Sequence, residues 1–304
     1  MVDDDPGCAQ LQQGAAMSKL LMVILDGLCT DTLACAHVPC IDGLARCGYL
    51  SRRLQPQHPQ SILANLASLL TSKPPEEHGI LSNSGAARLS PHAVSLFSLL
   101  RYRQQHIAAF VPNDRLLTLF PQGTLQTAML VNSQSIRNVD RELAEQAARH
   151  LQREKPDCCL LCLDGPSIAG THFGFSSEPY VESIEQADQG LGTILEHLRI
   201  VGAERDYTIV VAGYCAARPQ QAGNDETASL LLVSGPGIVQ GGEGDQPLSL
   251  LDLAPTLAAI LGVAPHPDWC GRMLGEWFQR KPMEMRSLST PKKSQARRRD
   301  RLAA

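Results

Sequence analysis

An α/β fold, with a mainly parallel sheet sandwiched by helices and one small insertion, is what this sequence predicts, and two observations predict it. Apolar runs of strand length recur at residues 20–25, 157–163, 207–212 and 229–233, as expected for strands covered on both faces. Between several of them lie segments with helical periodicity, long enough to cross back over a sheet and give right-handed parallel connections. The 304 residues, 43% hydrophobic and 19% charged, supply one large core without covalent staples.

Taken in order, residues 1–17 are rich in Asp, Gln, Gly and Ala without periodicity. They read as a disordered leader, or as an extension ahead of a second start at Met17. From Lys19 the pattern is an apolar run ending in Asp26-Gly27, an amphipathic stretch around Ile41, and a run at 49–54, which reads strand, helix, strand. Residues 61–72 put Leu63, Leu66, Leu69 and Leu70 on one helical face, and 90–103 repeat that pattern after Ser90-Pro91. Residues 106–111 read as a buried strand closed by Pro112-Asn113-Asp114. Residues 115–137, with Gln122-Gly123 and short apolar runs, are expected to form a small cap insertion beside the sheet.

The second half predicts helix 139–154, strand 157–163, helix 179–201, strand 207–212, strand 229–233 and helix 250–261, completing one domain over 18–280. In such sheets, sites form in the loops after the carboxyl ends of strands, which puts Asp26, Asp164, Gly213, Tyr214 and Cys215 on one rim. Residues 281–304 carry Lys292, Lys293, Arg297, Arg298, Arg299 and Arg301 among Ser, Thr, Pro and Gln, and are expected to be a disordered basic tail.

The net charge of −4 gives the body no general attraction to nucleic acid, so any acidic partner or nucleic acid falls to that tail. The ten cysteines sit largely in apolar runs, where cysteine behaves as a small hydrophobe, and this suggests a reducing compartment. The opening Met1-Val-Asp-Asp-Asp-Pro lacks the basic start of a secretory signal, and the run at 20–28, interrupted by Asp26, is too short to span a bilayer. A cytoplasmic location without membrane attachment is expected. Cys158, Cys159 and Cys162 do not form a metal cluster in this reading, because strand alternation points Cys159 and Cys162 to opposite faces.

Five stretches, in order, resemble the alkaline phosphatase superfamily, in particular its type I phosphodiesterase/nucleotide pyrophosphatase branch. They are Val23-Ile-Leu-Asp-Gly with Val38-Pro-Cys-Ile-Asp-Gly-Leu-Ala-Arg-Cys-Gly; Asn65 to Ile80, which ends in Pro-Glu-Glu-His-Gly-Ile; Gly170-Thr-His-Phe-Gly-Phe; Ser234-Gly-Pro-Gly-Ile; and Leu250-Leu-Asp-Leu-Ala-Pro-Thr with Gly271-Arg-Met-Leu. The resemblance implies the alkaline-phosphatase-like fold. It also implies a chemistry in which two divalent metals, commonly zinc, clamp a phosphoryl group while a Thr or Ser attacks.

Carried over residue by residue, that chemistry finds few of its parts. Asp26 matches the first metal ligand, although an Asp-Gly after a strand also forms turns. The attacking position falls on Ile62, with Ser61 one residue away as either a displaced nucleophile or a helix cap. The Asp and His of the second metal motif are replaced by Ser167 and Thr171. Asp164 and His172 lie nearby as a substitute pair, or His172 is a surface histidine. Where an Asp-His pair should follow strand 207–212, the chain reads Gly213-Tyr214-Cys215; Cys215 is a zinc ligand as a thiolate or else core filler. The last His-Gly becomes Ala222-Gly223. His78 does not ligate metal in the family's turn and reads as structural.

The sequence therefore predicts a noncatalytic pseudo-hydrolase that requires no cofactor. The alternative is a metal-dependent phosphoric ester hydrolase rebuilt around Asp26, Ser61, Asp164, His172 and Cys215, using zinc or another divalent metal. A phosphorylated small molecule is the ligand that the resemblance implies.

Overall fold

The computed structural model describes residues 18–57, 61–83, 88–131, 138–214 and 229–279. Among the described residues nine strands form one sheet: β1 (Lys19–Asp26), β2 (Tyr49–Gln55), β3 (Ile107–Val111), β4 (Thr127–Leu130), β5 (Cys158–Leu163), β6 (Tyr207–Tyr214), β7 (Ser229–Ser234), β8 (Gly242–Gly244) and β9 (Leu248–Ser249). Their order is β4-β3-β5-β1-β6-β7-β2-β8, with β9 beside β2. Strands β4, β3, β5, β1 and β6 run parallel, whereas β7 lies antiparallel to both β6 and β2. The sheet is thus mixed but mostly parallel.

Helices cover both faces: α1 (Thr30–Leu33), α2 (Pro39–Cys47), α3 (Ile62–Thr71), α4 (Pro75–His78), α5 (Leu96–Tyr102), α6 (Val139–Glu154), α7 (Gly165–Phe173), α8 (Glu178–Ile200) and α9 (Leu253–Ile260). The period-two alternation of β1 divides its side chains between two cores. Leu20, Met22 and Ile24 pack with residues of α3, α5 and α9, while Leu21, Val23 and Leu25 pack with α6 and α8. Each such leucine is fully buried and contributes about 2 kcal/mol. Cys158 and Cys162 fall in the first core and Cys159 in the second, as the alternation requires.

Several elements differ from the sequence-based expectation. Of the segment 115–137, residues up to 131 are described: a 3-10 turn at Asp114–Leu119 leads into β4, which pairs in register with β3 as the sheet's edge. Its four residues are too few to declare a strand by pattern alone. The helix expected from residue 90 begins only at Leu96, because Ser95, whose side chain accepts the Ser98 N–H, supplies the cap that Ser90-Pro91 does not. Helix α7 has no counterpart in the sequence reading, because Gly170 and Gly174 interrupt any helical pattern there. Strand β6 runs on through Gly213 and Tyr214.

Two buried polar devices fix the first third of the chain. Asp188 on α8 accepts the N–H groups of Cys40 and Ile41 at 3.1 and 2.8 Å, capping α2 from a distant segment. His78 is fully buried, its Nδ1 accepts the Ile80 N–H at 3.2 Å, and its Nε2 therefore donates to Ser68 Oγ at 2.8 Å. That tautomer leaves Ser68 unactivated, and burial pushes the imidazole pKa down to about 4. His78→Ala is expected to destabilise the fold by about 2–4 kcal/mol in chemical denaturation, since it leaves a cavity and two unpaired polar groups.

Candidate functional site

The carboxyl edge of the sheet gathers the polar residues that the cores exclude. Asp26 continues the Leu20, Met22, Ile24 face of β1 and stands opposite Tyr214 in the β1–β6 register. The next residue, Gly27, has φ +85°, and a Cβ there would lie 2.4 Å from the Ser167 backbone, so α7 rests directly on the end of β1. Tyr180 of α8 clamps the same turn: its hydroxyl donates to the Gly27 carbonyl at 2.7 Å and accepts the Cys29 N–H at 3.0 Å.

Asp164 follows β5 and occupies the N-cap position of α7 without a side-chain capping bond. Asp140, in the first turn of α6, accepts the backbone N–H groups of Asp164 and Gly165 through its two oxygens, at 3.1 and 2.9 Å. Gly165 is required there, because a Cβ would lie 2.5 Å from Asp140 Oδ2. Three carboxyls from three elements thus share one small volume. Burial, with the neighbouring carboxylates adding to it, pushes Asp26 and Asp140 up to about 7. Burial raises Asp164 to about 6. Ser167 faces Asp26 and opposes its shift. Asp26 Oδ1, Asp164 Oδ1 and the Tyr214 hydroxyl are buried without a hydrogen-bond partner.

Of the sequence candidates, the structure brings Asp26 and Asp164 together, with Tyr214 beside them. Ser61 is buried as the cap of α3, its Oγ accepting the Ala64 N–H at 3.1 Å, and Ile62 opens that helix. His172 is exposed at the far end of α7, about 12 Å of helix rise from Asp164, and lies against Phe173. Cys215 lies outside the described residues, as do Ala222 and Gly223.

Sequence reasoning missed Asp140 and Asn65. Asp140 looks like an ordinary acidic residue in a helix's first turn, and nothing local marks its reach to β5. Asn65 left a fainter signal, a fully buried amide within an apolar helix. Its Oδ1 accepts the Gln57 N–H at 2.8 Å, and its Nδ2 has no partner.

A two-metal clamp needs three or four ligands around each ion. Among the described residues no group of three or more His, Cys, Asp or Glu is placed to hold a metal ion. Asp140 spends both oxygens on backbone N–H groups, leaving Asp26 and Asp164 as carboxyl donors. The described donor set does not fit the pair.

The type I phosphodiesterase/nucleotide pyrophosphatase family model matches residues 20–95. Mouse ectonucleotide pyrophosphatase/phosphodiesterase family member 1 is 24% identical over 208 residues, which cover 63% of this chain and 23% of the relative. The bovine family member 3 is 23% identical over 224 residues, or 65% of this chain and 25% of the relative. The chain therefore spans about a quarter of the length of the curated relatives it matches. Murine ectonucleotide pyrophosphatase/phosphodiesterase 5, solved as an inactive variant with AMP, superposes with a TM-score of 0.67 at 12% identity, covering 82% of this chain and 96% of that one. A phosphonate monoester hydrolase from Silicibacter pomeroyi gives a TM-score of 0.63 at 15% identity, covering 84% and 76%. The shared fold, the matching segment over 20–95 and these relatives together support a place for this chain in the alkaline phosphatase superfamily, beside the type I phosphodiesterases/nucleotide pyrophosphatases.

Proposed function

We propose that this chain is a noncatalytic relative of the type I phosphodiesterases, one that uses the carboxyl edge of its sheet for binding. The observation that carries the reading is the state of the attacking position. Ile62 has no nucleophilic atom, and the neighbouring Ser61 hydroxyl is engaged in capping α3. The misfit of the described carboxyls to a metal pair adds to it, because metals in this chemistry both neutralise the phosphoryl group and activate the attacking hydroxyl.

The unpartnered oxygens of Asp26 and Asp164 favour the rival reading, a metal-dependent hydrolase with a rebuilt site that draws on Cys215. Assays of the full chain on bis(p-nitrophenyl) phosphate and p-nitrophenyl phosphate, with zinc or manganese added, decide between the two. No metal-stimulated turnover above background is expected. Activity restored by metal after chelation, and abolished by both Asp26→Ala and Ser61→Ala, would establish the rebuilt enzyme.

The cytoplasmic location belongs to the same proposal. It rests on the free thiols of Cys35, Cys40, Cys47, Cys158, Cys159, Cys162 and Cys270, while the disulfide at Cys29 argues against it. Among the described residues no helix is long and apolar enough to cross a membrane. The tail that would meet nucleic acid or an acidic partner lies outside the described residues, and salt-dependent binding lost on removing 281–304 would support that role.

A further inference from the structure

At the amino edge of the sheet, opposite the carboxyl cluster, two histidines meet. His106, the residue before β3, and His150, one turn from the end of α6, lie edge to face, with ring centroids 5.8 Å apart and planes at 85°. The His150 ring also lies against Phe110 of β3, at 5.6 Å between centroids. Its Nε2 is buried without a hydrogen-bond partner. The pair joins two elements that supply much of the second core: Leu143, Ala147 and Leu151 of α6, and Ala108 and Phe110 of β3.

Little stands ready to neutralise a charge there. His106 is fixed by its backbone, whose N–H donates to Asp157 Oδ2 at 2.9 Å and whose carbonyl accepts the Asp157 and Cys158 N–H groups. Asp157 turns its other oxygen to Lys19, at 3.1 Å. Glu154, one turn further along α6, is the carboxylate whose charge reaches His150. Strands β3, β4 and β5 carry no charged side chain. From α8, His197 meets Gln152 instead, at 2.8 Å. Burial, with His106 adding to it, lowers the His150 pKa, and Glu154 opposes the shift. A neutral ring packs well here, whereas an imidazolium would face a second imidazole and give up its hydration.

We propose that the His106–His150 contact is an acid-sensitive joint, which holds the last turns of α6 against the amino end of β3 while the rings are neutral and loosens when the pair takes up a proton. The sign follows from linkage. The stability that the joint contributes is complete above about pH 6.5, the ordinary histidine value, and is lost as pH falls through the lowered value of the folded state. The joint is independent of whether the carboxyl edge catalyses.

The test is hydrogen exchange of the full chain at pH 7.5 and pH 5, corrected for the intrinsic pH dependence of amide exchange, beside the variants His150→Phe and His106→Gln. On going to pH 5, protection of amides 149–154 and 107–109 is expected to fall about three- to tenfold more than that of α8. His150→Phe keeps a ring against Phe110 but takes up no proton, and should abolish this excess loss. Its thermal midpoint relative to the parent should rise by about 2–4 °C between the two pH values. Asp26 and Asp140, raised by burial to about 7, and His78, lowered to about 4, titrate in both proteins and so cancel in that difference. His106→Gln, which removes the second imidazole, should reduce the excess loss by about half or more, and it serves alone if His150→Phe does not fold. Equal loss across α6 and α8, or an excess loss that persists in either variant, would overturn the proposal. So would a gain in protection at pH 5, the sign expected if the Phe110 ring stabilised the imidazolium.

Discussion

Gly27→Ala is expected to destabilise the protein by about 2–5 kcal/mol. Two independent terms add. The backbone at Gly27 has φ +85°, a conformation that costs an L-residue about 1–2 kcal/mol. The new Cβ would also lie 2.4 Å from both the Cα and N of Ser167, which are backbone atoms and cannot swing aside. Relieving that overlap means lifting α7 off the end of β1, at about 1–3 kcal/mol or more. Gly202→Ala is the control: it has φ +67° but open space around it, so it should cost only the conformational term. Equal losses in urea denaturation would show that α7 is not seated on the strand end.

Asp26→Asn is expected to stabilise the protein most above pH 7 and to change little below about pH 4. Burial raises the folded-state carboxyl from 3.8 to about 7, so the folded protein holds this proton more tightly than the unfolded chain does. The sign follows from linkage: the stabilisation from the bound proton is complete below about pH 4 and is lost as pH rises through about 7. Three pH units correspond to about 4 kcal/mol, and relaxation around the charged group makes 2–4 kcal/mol the expected range. Asparagine keeps the shape and never ionises. At pH 8 the variant's thermal midpoint should exceed that of the parent by about 5–10 °C. A drop at pH 8 that zinc addition to the parent enlarges would mean that Asp26 is ionised and metal-bound.

Much of the fold was legible because the sheet is buried on both faces. Runs such as Leu-Leu-Met-Val-Ile-Leu before Asp26 and Cys-Cys-Leu-Leu-Cys-Leu before Asp164 admit little besides a central parallel strand, and their endpoints place both carboxyls on one rim. The edge was less legible. Strand β4 is four residues long and half exposed, so its pattern cannot be told from a loop, and it is defined only by its partner β3. Helix α7 was hidden by glycines whose value lies in close approach, which spacing cannot reveal. At the site, Asp140 could not be read at all, because its importance comes from two N–H groups twenty-four and twenty-five residues away in sequence. His172 shows the converse: sequence proximity to Asp164 suggested a pair, and eight steps of helix keep the two apart.

The position of β1 governs how this chain must be made. Although it comes first among the described strands, it sits between β5 and β6, and both of its edges wait for segments that emerge about 130 and 180 residues later. During translation at about 5–20 residues per second, its apolar side chains and both its hydrogen-bonding edges stay uncovered for several seconds or more. The matched segment over 20–95 therefore has no partner of its own for its most hydrophobic strand. Ribosome-bound chains halted before β6 should remain protease-sensitive and engage chaperones, and protection should appear only once β6 has cleared the exit tunnel. For this protein, the last third of the chain decides when the first third folds.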